Sequence, residues 1–338
     1  MKGALQSRPV QIAVSIVLAA LLLALFVRGL EWREIGRQIS SASAAWLAAS
    51  VALGLATFAI RTLRWIWLLR PVARIPYYPA LVATAVGFAA NNLPGKVGEV
   101  LRPALLARAR RLPFSPLLAS VLLERVFDGA CVLFFFLVAA AGGLPNSGGM
   151  GKLVVPAVLL AVLVALVLFS VFRRAATERF LARLWKRLPA KLHARAQTFS
   201  ETFVDGFASL RDPKLLVLVT LGSLLMWFVI SVQIYTTLHA FHLGLPFSAS
   251  FVVVAAAVLG LMFPTPGGLG SYHVAVQLAL TDVYGVPRDT ASGVALIAHA
   301  ISFVPITIIG LTLFATTPIS FRKQVEEIVE SPAVGRET

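Results

Sequence analysis

Apolar positions fall along this chain in blocks rather than in alternation. Six runs, at 10–27, 46–60, 117–141, 153–172, 215–238 and 290–316, are apolar, and only 117–141 contains Asp, Glu, Lys or Arg. About 20 apolar residues in a helix cross roughly 30 Å of hydrocarbon, so each run predicts a spanning helix. Two shorter stretches, 78–90 and 247–263, each stop at a break containing proline and glycine. The breaks read Asn91-Asn92-Leu93-Pro94-Gly95-Lys96 and Pro264-Thr265-Pro266-Gly267-Gly268-Leu269-Gly270. Proline lacks an amide donor and glycine is conformationally permissive, so no continuous helix is expected through either break. Helical patterning resumes at 97–110 and 271–284. Basic residues flank the first pair of stretches and few flank the second. This predicts two re-entrant helical hairpins, one entering from the cytoplasm and one from outside.

The order of elements then repeats. Residues 1–145 read span, span, hairpin, span, and residues 150–320 read the same with each orientation reversed. The spacing agrees as well, with 18 residues from Gly95 to Pro113 and 20 from Gly267 to Pro287. The expected fold class is an all-α polytopic membrane protein with about six full spans and two re-entrant hairpins in an inverted repeat. Residues 1–320 form one membrane domain on this reading, with a cytoplasmic amphipathic loop at 173–214 and a cytoplasmic tail at 321–338. Inverted repeats with broken helices in matching places are the design of many secondary transporters, with the binding site between the halves near the midplane.

Composition supports the bilayer over water. Of 338 residues, 58% are hydrophobic, and the mean hydropathy is +0.85, too apolar to cover a soluble globule of this size. A net charge of +15 raises nucleic acid as a partner, but the Lys and Arg residues flank the runs. Ten lie in 173–214 and four in 61–74, while 142–151 and 239–246 contain none. That is the positive-inside asymmetry, so nucleic acid is not expected. It predicts a multi-pass protein of the cytoplasmic membrane with both termini in the cytoplasm. Lys2 and Arg8 precede the first run, but no small-residue cleavage site follows before Arg28, so that run reads as a retained helix. In the loop, Phe180, Leu184, Trp185 and Leu188 share a helical face among basic neighbours, which suits an interfacial anchor. Cys131 is the single cysteine, and it lies in an apolar run, so neither an internal disulfide nor a thiolate metal site is expected.

Backbone unwound at membrane depth is tolerated where protein buries it or water lines it. A helix starting after a break also presents free amides and a positive dipole end, which suit a phosphate or carboxylate. Leu93-Pro94 and Thr265-Pro266 fit an N-cap followed by proline at the first helical position. The candidate headgroup site is therefore Asn92, Gly95, Lys96, Glu99 and Arg102 with Gly267, Gly268, Gly270 and Ser271. The glycines could equally serve only close helix packing. Lys96, Glu99 and Arg102, spaced by three, share a helix face, and could hold a lipid phosphate or form a salt-bridged structural face. Glu124, Arg125 and Asp128 sit within an apolar span, where ionisable residues are costly and by default functional. The two acids would repel unless a cation such as Lys96, Arg61 or Arg64 lies between them. Arg61 and Arg64 end the second span, where snorkelling to the interface is a sufficient account. His273 and His299 could titrate near neutral pH or serve as packed hydrogen-bonding groups. No P-loop, His-Glu-x-x-His, Asp-x-Asp or Gly-x-Ser-x-Gly motif occurs, so no enzyme, cofactor or metal is expected. Lys96 to Arg102-Pro103 approaches the first motif of membrane lipid phosphatases, but it is one residue short and lacks the Pro-Ser-Gly-His element.

Three motifs together carry a resemblance: Asn92-Leu93-Pro94-Gly95-Lys96-Val97-Gly98-Glu99 with Arg102, Glu124-Arg125 with Asp128, and Pro266-Gly267-Gly268-Leu269-Gly270. Over nearly its full length the chain resembles the flippase-like membrane domain of lysylphosphatidylglycerol synthases, in the stand-alone form without an aminoacyl-transferase domain. The resemblance implies lipid translocation between leaflets, with Lys96, Glu99, Arg102, Glu124, Arg125 and Asp128 at the motif positions. One position departs, since His273 stands where members often carry an acidic residue shortly after the second glycine motif. The expected partners are anionic or phosphate-bearing membrane lipids, either a modified phospholipid or a polyprenyl-phosphate carrier, and a lipid-synthesising enzyme. A membrane-embedded lipid-modifying enzyme or its accessory subunit, or a small-anion transporter, are the alternatives.

Overall fold

A computed structural model of the chain describes residues 8–93, 96–145 and 212–317, together with 158 and 162. It is all-α among these residues. The helices are α1 (Arg8–Val27), α2 (Trp32–Ser41), α3 (Ala44–Leu69), α4 (Tyr77–Ala90), α5 (Gly98–Arg110), α6 (Phe114–Ala141), α7 (Pro213–Ala240), α8 (Phe247–Met262), α9 (Ser271–Leu278) and α10 (Arg288–Thr316). A 3-10 turn, Pro266–Gly268, precedes α9, and a π turn, Ala279–Val283, follows it. Helices α3, α7 and α10 have 26, 28 and 29 residues and are apolar enough to cross a bilayer. Helix α6 matches them in length with 28 residues, but carries charge at its middle. The chain is an all-α polytopic membrane protein.

Local chemistry sets the helix ends. Asp212 caps α7, its Oδ1 accepting from the amides of Lys214 at 2.9 Å and Leu215 at 3.4 Å, with Pro213 at the first helical position. A proline also stands immediately before α4, α6, α8 and α10, at Pro76, Pro113, Pro246 and Pro287. Each fixes the chain in an extended approach to the first turn. Within each hairpin, glycine allows the two arms to touch. A Cβ on Gly98 would lie 1.8 Å from the Gly87 carbonyl oxygen, and one on Gly260 would lie 2.6 Å from that of Ser271. No larger residue fits either crossing without moving backbone.

The packing falls into matched pairs. Helix α4 packs on α5 and on α10, while α8 packs on α9 and on α6. Helix α5 touches α6 as α9 touches α10, and α3 and α7 run together along the centre. Exchanging α3–α6 with α7–α10 leaves these neighbour relations unchanged. One core joins Trp65, Leu69, Val82, Leu101, Leu105 and Leu117 around the first hairpin. A larger one joins Val132, Phe136, Trp227, Val253, Val276 and Val294 around the second.

Several expectations are corrected here. Helix α3 runs nine residues past position 60, to Leu69, so Arg61 and Arg64 lie inside it and not at its end. Helix α2 was not anticipated: it is a short amphipathic helix bent 83° from α1 and packed against α10. The helix after the first break begins at Gly98 with Val97 as its N-cap, not at Pro94. Pro266 opens only the 3-10 turn, and α9 begins at Ser271, capped by Gly270. The expected helix 271–284 is α9 continued by the π turn. Gly95, Asn146, the run 153–172 apart from 158 and 162, the loop 173–211 and the tail 321–338 lie outside the described residues.

Candidate functional site

The candidate site forms where α3, α5 and α6 meet. Glu124 and Asp128 lie ten and fourteen residues into α6, about 15 to 21 Å along the helix at ~1.5 Å per residue. That is the middle of its length. Glu124 is fully buried and Asp128 nearly so. Leaving either carboxylate unpaired there would be costly.

Arginines from three helices supply the pairing. Arg64, fully buried on α3, lies between the two acids, with Nη1 donating to Asp128 Oδ1 at 2.6 Å and Nη2 to Glu124 Oε1 at 3.5 Å. Arg102 on α5 donates through Nη1 to Glu124 Oε2 at 2.6 Å. Its guanidinium stacks over the Trp65 ring at 3.8 Å, and Trp65 Nε1 is anchored on Ser120 Oγ at 2.9 Å. Arg61 approaches Asp128 Oδ2 at 3.6 Å and lies over Phe88. Arg125 reaches Asp128 Oδ2 at 3.4 Å and Glu99 Oε2 at 3.5 Å. Trp227 and Ser223 reach in from α7, the first donating to Asp128 Oδ1 at 3.0 Å and the second accepting from Arg64 at 3.1 Å.

Positive charge and donors are in excess. Arg61, Arg64, Arg102 and Arg125 face Glu99, Glu124 and Asp128, a surplus of one positive charge, and Lys96, beside them but bonded to Leu261 O, makes it two. Among the described residues, the buried Nε and Nη2 of Arg102, Nε of Arg64 and Nη1 of Arg61 have no hydrogen-bond acceptor, against two buried acceptors here without a donor, Asp128 Oδ2 and Asn91 Oδ1. Buried donors of this kind are rare and call for an explanation. One flank of the cluster is open, with the side chains of Arg125 and Glu99 41% and 33% exposed.

The two breaks meet beside this cluster. The Gly267 amide donates to Asn91 O at 3.3 Å, Lys96 Nζ to Leu261 O at 2.7 Å and Asn92 Nδ2 to Thr307 Oγ1 at 2.7 Å. His299 Nε2 donates to Gly267 O at 2.8 Å. The second tip is polar but uncharged. The imidazoles of His273 and His299 lie 4.7 Å apart, His299 stacks on Phe303 at 4.3 Å, and Tyr272 is 5.0 Å from His299. Thr265 and Ser271 share a hydroxyl hydrogen bond of 2.8 Å.

Placed on this geometry, the sequence-derived candidates divide. Arg61, Arg64, Arg102, Glu124, Arg125, Asp128 and Glu99 come together. Arg64 is the cation between the two acids, and the snorkelling account of Arg61 and Arg64 fails because both are buried within the helix. Lys96 does not serve that role and does not share a helix face with Glu99 and Arg102. It precedes α5 with a positive φ of 51° and turns to the carbonyl end of α8. At the second tip, the amides of Gly267, Gly268, Leu269 and Gly270 donate to Asn91 O, Thr265 O, Pro266 O and His273 Nδ1. They are therefore engaged within the protein and do not form an open anion cradle. Trp65, Ser223 and Trp227 escaped the sequence reading, because an apolar run gives no signal that an indole or hydroxyl in it is aimed at a charge.

The fold and the site together define a multi-pass membrane protein with a paired intramembrane charge cluster at the contact of two helical breaks. The chain belongs to the family described as Lysylphosphatidylglycerol synthase TM region, which residues 12–310 match. It is similar to two proteins of Methanothermobacter thermautotrophicus, each named UPF0104 membrane protein. One is 27% identical, covering 78% of this chain and 82% of that protein, and the other is 24% identical, covering 82% and 85%. It is also 24% identical to Glycosyltransferase AglD of Haloferax volcanii, over 96% of this chain and 57% of that protein.

Proposed function

We propose that this protein moves a phosphate-bearing amphipathic lipid between the leaflets of the cytoplasmic membrane, as a transporter built from two inverted halves. The observation that carries the reading is the surplus of buried guanidinium donors beside the meeting point of the two breaks. A lipid headgroup crossing the hydrocarbon must exchange its water for protein groups, since bare charge there costs several kcal/mol or more. Arg61, Arg102 and the exposed flank of Arg125 offer such groups, with Lys96 within the same break. Charged side chains facing hydrocarbon are avoided, so the open flank reads as the wall of a water-lined crevice.

The matched packing of α3–α6 and α7–α10 supports the repeat. A Pro-Gly-x-x-Gly sequence also occupies both breaks, at Pro94 to Gly98 and at Pro266 to Gly270. A site between two such halves opens to either side by rocking one against the other. On this reading both termini face the cytoplasm. A glycosyltransferase among the relatives favours a second arrangement, in which the membrane region serves an enzyme that builds on a lipid.

The test is reconstitution of the purified protein in liposomes with fluorescent or radiolabelled phospho-lipids. Leaflet exchange above protein-free vesicles, with the lipid chemically unchanged, is the expected result. Conversion of a native lipid into a new species on addition of a donor, without exchange, would refute translocation.

A further inference from the structure

We infer that the lipid taken by this site joins its phosphate to an uncharged, hydroxylated group such as a sugar or polyol, and that the ammonium-bearing lysyl headgroup is refused. The inference rests on the headgroup reading of the same site and specifies what that headgroup is.

The two tips, related by their shared Pro-Gly-x-x-Gly pattern, carry opposite kinds of chemistry. The first lies against five cations and three carboxylates, and every carboxylate already has an arginine. Asp128 Oδ2, buried without a hydrogen bond, already lies 3.4 Å from Arg125 and 3.6 Å from Arg61, so an ammonium group would compete with two guanidinium groups for it. Around the second, α8, the 3-10 turn and α9 contain no Lys, Arg, Asp or Glu, and neither does α10 from Thr290 to Thr316. The matching interactions show the same substitution. Arg64 on α3 pairs with Asp128 on α6, whereas on their counterparts α7 and α10 Gln233 Nε2 donates to Ser302 Oγ at 3.4 Å.

What the second tip offers is a set of ring faces with neutral hydrogen-bonding atoms. His299 and Phe303 are stacked and partly exposed, and Ser302 is exposed; His299 Nε2 is engaged on Gly267 O and Ser302 Oγ accepts from Gln233, which leaves the Ser302 hydroxyl proton and the His299 Nδ1 lone pair for a ligand. Flat rings beside neutral donors and acceptors suit a hydroxylated group, whose C–H faces pack on rings while its hydroxyls take hydrogen bonds. Rings alone would also accept an ammonium ion. The surplus of two positive charges in the adjoining cluster decides against it, because like charges brought together in a low-dielectric cleft repel strongly. The same surplus attracts the phosphate. A phosphate on the first tip and a neutral polyol on the second therefore satisfies both halves of the site at once.

The experiment is native mass spectrometry of the purified protein against four lipids: polyprenyl phosphate, its singly hexosylated phosphodiester, phosphatidylglycerol and lysylphosphatidylglycerol. The hexosylated lipid should bind about tenfold tighter than bare polyprenyl phosphate, and phosphatidylglycerol about tenfold tighter than its lysyl ester, the scale of one or two net hydrogen bonds. His299→Ala should reduce the hexose preference severalfold as a ratio. Ser302→Asp, an exposed change that adds negative charge without emptying the core, should raise binding of the lysyl lipid. Equal binding of phosphatidylglycerol and its lysyl ester, or a hexose preference absent or indifferent to His299→Ala, overturns the inference and leaves a lipid site standing. Binding of none of the four overturns the translocation reading and the inference with it.

Discussion

Replacing Glu124 by glutamine keeps its shape and removes its charge, which makes it the sharpest probe of the cluster. The carboxylate is fully buried and faces Arg102 at 2.6 Å and Arg64 at 3.5 Å. Arg64 keeps Asp128 at 2.6 Å, but Glu124 is the only carboxylate paired with Arg102 among the described residues. Breaking one partner of such a buried pair costs roughly 3 to 5 kcal/mol, because a charge is left uncompensated. For a chain of this length, the unfolding entropy per residue of globular proteins turns that into about 4 to 7 °C of melting temperature. Adding Arg102→Met removes the stranded charge while retaining most of the volume over Trp65. The double variant should then recover part of the loss, with a coupling of about 1 to 3 kcal/mol. Lys96→Ala combined with Glu124→Gln is the control: Lys96 has no contact with Glu124, so the two effects should add within about 0.5 kcal/mol. Thermal unfolding followed by size-exclusion chromatography in detergent reads the wild type and all five variants. If Glu124→Gln and Arg102→Met simply add, the pairing has no energetic content and the account of the cluster fails.

Two further predictions concern orientation and the first tip. In a Cys131→Ser background, a cysteine at position 146 should react with an impermeant reagent on intact cells, while cysteines near 195 and in the tail should react only after the cells are opened. Labelling at 146 only after opening would put it on the same side as 195 and the tail, which overturns the expected topology and the inverted repeat built on it. Lys96 holds a positive φ of 51°, which costs a non-glycine residue about 1 kcal/mol. Lys96→Gly should therefore be about 1 kcal/mol more stable than Lys96→Ala, and equal melting temperatures would show that the turn is not strained.

The broad architecture was legible because a bilayer imposes a length on apolar runs, and because prolines and glycines mark breaks whatever surrounds them. The breaks after Ala90 and Met262 fall where the sequence placed them for that reason. The end of α3 was not legible. Arg61 and Arg64 look like the polar end of a span, and only the carboxylates of α6, some 60 residues away, make it possible to bury them inside a longer helix. The expected Lys96–Glu99–Arg102 face failed on a backbone detail, since periodicity assumed a helix starting at Pro94 while the helix begins only at Gly98 and Lys96 has a positive φ. Composition made the acids of α6 conspicuous, but it could not say which of several arginines would answer each of them.

The strength of the contacts shows which parts of the site can move against each other under the translocation reading. Two interactions join the tips directly, the Gly267 amide to Asn91 O at 3.3 Å and Lys96 Nζ to Leu261 O at 2.7 Å, and a third ties the first tip to α10 through Asn92 Nδ2 and Thr307 Oγ1 at 2.7 Å. Each contributes on the order of 1 kcal/mol net, and water entering a crevice can replace any of them. The ion pairs behave differently. They join α3, α5 and α6 within one half, and separating Arg64 or Arg102 from its carboxylate strands a buried charge. Along the centre, α3 and α7 are bound by Ser50 to Gln233 O at 3.0 Å and to Thr237 at 2.8 Å, with Gly222 admitting the Trp67 ring. The contacts that entering water can replace thus lie at the tips, while the ion pairs lie within a half and buried, close packing lies along the α3–α7 seam. A rocking motion that follows this gradient pivots at the seam and parts the tips, and it carries the arginine cluster as a rigid unit with whatever anion it holds.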